Sequence, residues 1–346
     1  MLVSRILKSA AAAALAAAAV VAAGAGGPAQ AQDKPVIALS NSFYGNTWRR
    51  QMVDAFTEAA EKAKAEGLIA DYVVLNGDGS IPQQQSQLAD LILRGVDAIA
   101  INAASETALN DTVEQACQAG IKVLAFDSLV TAPCATTLGF DFTAYKTEQA
   151  EKTIELIGGK GNVIVVRGVR GSGPDKQMYD AQMAVLAKHP DVKVVAEVYG
   201  EATAPVAQAA VANVLPSLPK VDAVLAQGGS DDFGIAQAFL QYGGDYAEDL
   251  PVIEGGGSSD FIRFWAEQAK DGYKTTSMNS TPGIGGAAFW LALAMTEGRE
   301  APKSITMPVA VVSAENLAEY ADMPAGRIVS PTYTREWVEQ NLLGGS

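Results

Sequence analysis

The residues best suited to chemistry fall in one loop. Val36-Ile-Ala-Leu-Ser-Asn-Ser-Phe-Tyr-Gly-Asn-Thr-Trp-Arg49 passes from a short apolar run into a polar and aromatic stretch, and then into a helical pattern. This order puts Asn41, Phe43, Tyr44, Asn46, Trp48 and Arg49 at the carboxyl end of a strand, where open α/β sheets take their ligands. Amides and a guanidinium offer hydrogen bonds, and a flat ring covers the C–H face of a cyclic molecule. The set suits a small polyhydroxylated ligand.

Other strand ends repeat the polar character. Asn102, Asp127-Ser128, Gln227-Gly-Gly-Ser-Asp-Asp232, Glu254-Gly-Gly-Gly257 and Asn279-Ser280 each follow an apolar run. Any one of them alone could cap the next helix or finish a turn. Together with the aromatic loop they read as a site, because buried amides and carboxylates need partners. A carboxylate accepting from two hydroxyls makes strong charge-assisted bonds. Catalytic sets are poorly represented. His189 is the sole histidine and sits in the turn Lys188-His-Pro-Asp191, so neither a zinc site nor a Ser-His-Asp triad can be assembled around it. Asp231, Asp232 and Glu254 could serve as a glycosidase carboxylate pair, although helix start and strand end explain them more simply. Gly168-Val-Arg-Gly-Ser-Gly173 follows a strand but lacks the Gly-Lys-Ser/Thr ending and the spacing of a nucleotide loop. No metal or cofactor is expected.

The elements that must hold these residues alternate. Apolar runs at 36–40, 70–75, 97–102, 121–126, 162–167, 192–199, 221–227, 251–254 and 273–279 read as strands. Amphipathic patterns near 47–66, 83–94, 106–119, 142–157, 175–188, 204–215, 231–242, 259–270 and 283–297 read as helices. Strand then helix, repeated with short connections, predicts an α/β fold of doubly wound parallel sheets, and continuous runs such as Val163-Ile-Val-Val predict burial on both faces. Residues 127–140 carry no helix pattern, which suggests two similar lobes. The tail from Val309 onward repeats no strand–helix unit cleanly and is expected to tie them together.

Arg5 and Lys8, the apolar stretch Ala10 to Ala25, and Ala29-Gln-Ala31 have the order of a signal peptide cut after Ala31. A membrane anchor is the alternative, but no basic stop-transfer flank follows. The chain carries a formal charge of −14, and losing the two leader cations leaves −16. Such a balance disfavours nucleic acid and anionic membrane surfaces. Cys117 and Cys134, the only cysteines, lie at a helix end and beyond the next strand, close enough to pair in an oxidising compartment. Two free thiols remain the other possibility.

The leader, the loop Ser40-Asn-Ser-Phe-Tyr-Gly-Asn-Thr-Trp-Arg49, the run Leu93-Arg-Gly-Val-Asp-Ala-Ile-Ala-Ile-Asn102 and Val123-Leu-Ala-Phe-Asp127 resemble the ribose-type periplasmic solute-binding proteins of sugar ABC importers (type I periplasmic binding proteins). The resemblance implies a 1–31 signal peptide, an N-terminal lobe of 32–139 plus 280–312, a C-terminal lobe of 140–279 plus 313–346, and three crossovers near 139, 280 and 312. It implies a monomeric periplasmic receptor, not an enzyme, that captures a neutral sugar or polyol and delivers it to an inner-membrane permease. Asn46, Trp48, Arg49, Asn102 and Asp127 match first-lobe contacts. Ser128 and Met178 stand where ribose binders carry arginines. Gly228 and Gly256 replace an amide and a carboxylate, Asn279 retains an amide, and Glu254 is the candidate for the missing acid. Two other outputs stay open: a signalling receptor, for instance for a furanosyl autoinducer, and an exported glycosidase.

Overall fold

The apolar run Val36–Asn41 (β1) is buried along nearly its whole length, and its loop feeds the amphipathic helix Thr47–Ala65 (α1). Asn46 caps that helix by accepting from Arg49 N at 2.8 Å. Trp48, Met52, Phe56, Ala59 and Ala63 recur at helical spacing and form its buried stripe. The computed structural model describes residues 34–343. The expected signal peptide and its cleavage site lie outside them.

The same unit then repeats. Asp71–Asn76 (β2), Ile81–Arg94 (α2), Ala98–Asn102 (β3), Asn110–Gln118 (α3), Lys122–Phe126 (β4) and Thr136–Gly139 (β5) complete the first half. Phe142–Leu156 (α4), Gly161–Arg167 (β6), Gly173–Leu186 (α5), Val192–Tyr199 (β7), Ala204–Val214 (α6), Ala223–Ala226 (β8), Asp231–Tyr242 (α7), Val252–Ile253 (β9) and Ser259–Gln268 (α8) form the second. Ser277–Asn279 (β10), Ile284–Thr296 (α9), Ser304–Thr306 (β11), Ala310–Val312 (β12), Leu317–Tyr320 (α10) and Arg335–Asn341 (α11) follow.

Two parallel sheets result, ordered β11-β5-β4-β3-β1-β2 and β7-β6-β8-β9, with β10 and β12 paired antiparallel. Each sheet is covered on both faces by separate apolar clusters, so the α/β doubly wound reading holds. In both sheets the strand order reverses about the first strand, between β1 and β3 and between β6 and β8. Ligands bind at such switch points.

Helix α9 is apolar on all sides because it lies inside the first lobe's core, against α1 and the sheet. Its glycine entry permits the contact: a Cβ on Gly285 would overlap the Met52 carbonyl. The last helix departs from expectation. The resemblance implies that residues 313–346 belong to the C-terminal lobe, whereas Tyr333, Val338, Leu342 and Leu343 join the core that contains Ile37 and α9. Arg335 Nη2 also pairs with Glu297 at 2.9 Å. The chain therefore returns to the lobe of β1 and α9 near 330. Just before that crossing, Ile328 lies between lobes. Gln51 of α1 donates to its carbonyl at 2.9 Å and accepts from its N–H at 3.0 Å. On the other edge Ser259 N donates to Arg327 O, and Val329 N donates to Gly257 O.

Cys117 and Cys134 form a disulfide with a Cα separation of 6.4 Å across 17 residues. The chain-entropy account gives about 3 kcal/mol for a loop of this size. Replacing both cysteines by serine is expected to lower unfolding free energy by that order and Tm accordingly, measured by denaturant titration with and without reductant. An unchanged midpoint would show the bridge to be energetically idle.

Candidate functional site

The polar groups at the first switch point form a row. Asn76, Asn41 and Asn102 end the adjacent strands β2, β1 and β3 in register. Asn41 Nδ2 donates to Asn76 Oδ1 at 2.8 Å, and Asn41 Oδ1 accepts from Arg49 Nη1 at 3.1 Å. Asn102 Nδ2 donates to Asp127 Oδ2 at 3.1 Å. Two asparagines thus hold a cation and an anion side by side at the mouth of the sheet. Arg49 Nη2 and Asp127 Oδ2 are 3.6 Å apart, and both side chains are 7% exposed. Burial pulls the Arg49 pKa down and pushes the Asp127 pKa up, in each case against the attraction of the other. The pair is short of hydrogen-bonding partners. Asp127 also has a φ of 56°, a left-handed conformation uncommon outside glycine.

Around this pair lies a narrow cleft of about 70 Å³, open to solvent on one side. Its first-lobe wall is Asn46, Trp48, Arg49 and Asp127, and its hinge side carries Phe142 and Ser280. Trp48 Nε1 donates to the Ser280 carbonyl at 2.8 Å, which fixes the ring. The facing wall comes from the ends of β6, β7 and β8 and from α5, and includes Val169, Asp175, Met178, Ala202, Gln227 and Gly228. The lobes also meet at the rim, where a Cβ on Gly173 would overlap the Glu106 carboxylate.

Of the residues singled out from sequence, Asn46, Trp48, Arg49, Asp127, Met178 and Gly228 line this cleft. Asn41 and Asn102 stand one layer behind it. Ser128 is buried, with its carbonyl accepting from Ala103 N. Phe43 lines a separate hollow at the outer lip with Arg50, Pro205 and Val206, and Tyr44 is exposed nearby. Gly256 faces backbone: a Cβ there would overlap Gly228 Cα, and its N–H donates to Asp232. Asn279 Nδ2 donates to the carbonyls of Ser280 and Val329. Phe142, Asp175 and Ala202 were not singled out. The turn Arg167-Gly-Val-Arg-Gly-Ser-Gly-Pro-Asp175 carried the available signal, a cation at a strand end and an acid eight residues later.

Glu254, the candidate for the missing acid, lies in the interior of the second lobe. It pairs with Lys146 Nζ at 3.4 Å, and both side chains are fully buried. Ala226 N and Gln182 Nε2 donate to the same oxygen at 3.1 and 3.2 Å. Lys146 Nζ also donates to Gln149 Oε1 at 2.7 Å and to the Ala226 carbonyl. Asp231 and Asp232 are fully buried beside this cluster, the first accepting from Gly228 N, the second from Gly256 N and the Ser258 hydroxyl. Burial, and then the neighbouring Asp232, push the Asp231 pKa up to about 8. Burial raises Asp232 to about 6 against its hydrogen bonds. None of the three acids lines the cleft, which removes the geometric basis for a glycosidase built on them. A larger hollow of about 430 Å³ lies between α1, α9 and residues 323–334. No strand end reaches it, and its Gln51 and Arg327 are already engaged with Ile328 and Asp54.

Two doubly wound lobes with a polar cleft at their facing strand ends define a bilobed binding protein. Residues 37–300 match the periplasmic binding protein domain family, and the chain belongs to it. It is 28% identical over 254 residues to the xylitol-binding protein of Mycolicibacterium smegmatis, covering 73% of this chain and 70% of that one. It is 31% identical over 186 residues to the D-xylose-binding periplasmic protein of Escherichia coli, covering 52% and 56%. An ABC transporter solute-binding protein from Thermobispora bispora superposes with a TM-score of 0.83 at 40% identity, over 89% of this chain and 94% of that structure.

Breaking a buried pair strands the remaining charge, at a cost of about 3–5 kcal/mol. Lys146→Met is expected to lose stability of that order by denaturant titration, and adding Glu254→Gln to recover part of it. An unaltered midpoint in the single variant would refute the pairing. The native state also retains a proton on Asp231 that the unfolded chain releases above about pH 4, so stability falls as pH rises from there toward about 8. Tm is expected to decline between pH 5 and 9, with a shallower slope in Asp231→Asn; identical slopes would contradict the assignment.

Proposed function

We propose that the protein is an exported, non-enzymatic receptor that captures a monosaccharide or polyol between its lobes and delivers it to the permease of an ABC importer. The observation that carries this reading is the Arg49–Asp127 pair. Two buried ions 3.6 Å apart, each tied to its own amide, lack the hydrogen bonds that would offset their burial. Vicinal hydroxyls can accept from the guanidinium and donate to the carboxylate at once. Trp48, fixed by Ser280, supplies an aromatic face for C–H groups beside them.

The relatives named for xylitol and D-xylose support the choice of ligand class. The leader of residues 1–31 supports delivery to the periplasm. The lobes we propose are residues 32–139 with 280–312, and 140–279 with the chain up to the crossing near 330. The contacts to ligand would come from Asn46, Trp48, Arg49 and Asp127 on one side, with Met178 and Gly228 on the other. A ligand touching both walls favours the closed state by the difference in its affinity for closed and open forms. A cleft lined within one chain supports monomeric function.

A thermal-shift panel of neutral sugars and polyols tests the reading, since a ligand that binds only the native state raises Tm by mass action. At least one such compound is expected to raise Tm by several degrees at millimolar concentration. Trp48→Ala is expected to abolish the shift while keeping a cooperative melt. Shifts with amino acids alone, or an undiminished shift in the variant, would sink the proposal.

A further inference from the structure

The two walls of the cleft differ in what they leave unmet. On the first-lobe wall Arg49 donates one hydrogen bond, to Asn41, and Asp127 accepts one, from Asn102. Asn46 spends its carbonyl oxygen on Arg49 N. Among the described residues its amide nitrogen makes no protein hydrogen bond, so this wall calls for hydroxyls.

The second-lobe wall does not. Its three polar side chains are occupied by their own lobe. Asp175 Oδ2 accepts from Arg167 Nη2 at 2.8 Å, and Oδ1 accepts from Arg167 Nε and Gly168 N, both at 3.2 Å. Gln227 Oε1 accepts from Gly168 N at 2.8 Å, while Nε2 donates to the Asp175 carbonyl at 3.1 Å. The Ser172 hydroxyl donates to Val169 O at 2.9 Å and accepts from Asp175 N at 3.2 Å. The backbone N–H of Gly228 is taken by Asp231. The side chains that remain toward the ligand are Val169, Pro174, Met178 and Ala202, with glycine at 228 and 229. Met178 is held in place because Tyr145 donates its hydroxyl to the thioether at 3.0 Å. Met178 also belongs to the same apolar cluster as Trp48 and Phe142, so an apolar floor runs beneath both walls.

We propose that the ligand is hydroxylated at one end and apolar at the other: a deoxy sugar or terminally deoxygenated polyol whose methyl group rests against Val169, Met178 and Ala202. This rests on the receptor reading above. A hydroxyl pressed against Val169, Met178 and Ala202 gives up its water and gains no side-chain partner, whereas a methyl group gains apolar contact. Discrimination of this kind is worth on the order of 10- to 100-fold, because a pocket that merely fails to bond a hydroxyl rejects it only modestly.

Isothermal titration with matched pairs tests it: L-fucose against L-galactose, L-rhamnose against L-mannose, and 1-deoxy-xylitol against xylitol. The deoxy member of at least one pair is expected to bind at least about tenfold tighter than its parent. Val169→Thr, which adds a hydroxyl at constant volume, is expected to shrink that ratio several-fold, as is Met178→Gln in a variant whose melt remains cooperative. If every parent binds as tightly as its deoxy partner, or tighter, the receptor reading stands and this inference falls. If no hydroxylated compound binds, deoxy or not, both fall. An unchanged ratio in both variants would also overturn the placement of the apolar end.

Discussion

A guanidinium and a carboxylate share the mouth of the first sheet without neutralising each other through a close hydrogen bond. Their geometry is set by the asparagines that end three neighbouring strands. Asn41 holds Arg49, Asn102 holds Asp127, and Asn76 holds Asn41. The register of β1 against β2 and β3 therefore fixes the spacing of the two charges. A slip of one residue would turn the amides to the other face. The left-handed backbone at Asp127 belongs to the same arrangement, since it aims the carboxylate back toward Arg49 instead of continuing the strand. Strain of this kind survives only where the surroundings over-determine it.

The second lobe answers with the opposite design. Its charges lie inside, where Lys146, Glu254, Gln149 and Gln182 bond to one another beneath the cleft, although Glu254 Oε1 and Gln182 Oε1 have no partner among the described residues. A buried ionic cluster is weak evidence of stability, because desolvation consumes much of the attraction. What it provides is position. Lys146 and Gln182 both bind the Ala226 carbonyl, and Ala226 N binds Glu254, so the end of β8 is held from three directions. The glycines that follow β8 then lie against those that follow β9, with Gly228 and Gly256 packed backbone to backbone. One lobe presents unsatisfied ions, and the other presents a firm and mostly apolar surface.

Much of this was legible in the residues. The strand runs were long and apolar enough to stand out, and Asn46, Trp48, Arg49 and Asp127 were visible because they follow them. The short strands β5, β11 and β12 were not, since three or four residues leave no periodic trace. Helix α3 begins at Asn110 rather than 106, because Ser105 Oγ accepts from Thr107 N and Ala108 N and forms a turn first. Glu254 was misjudged for a different reason. Its partner Lys146 comes from α4, far along the chain, and nothing local distinguishes an acid that faces a ligand from one that faces a buried lysine. The apolar wall was foreshadowed at Met178 and Gly228. The pairing of Asp175 with Arg167 was not, because it depends on how the turn between them folds back.

The final helix has a consequence for how the molecule is made. Tyr333, Val338, Leu342 and Leu343 share a core with Ile37, Leu39 and Phe56, from the opposite end of the polypeptide. During synthesis the first lobe is the earliest to emerge and the last to be finished, whereas the second lobe is nearly complete before the ribosome reaches α11. Contacts that join the two ends of a chain form slowly, because the longest loop must close before they repay its entropy. A first domain that needs α11 to complete its core leaves part of that core uncovered until α11 is made. That is the state a polypeptide must keep if it is to be threaded through a membrane before folding.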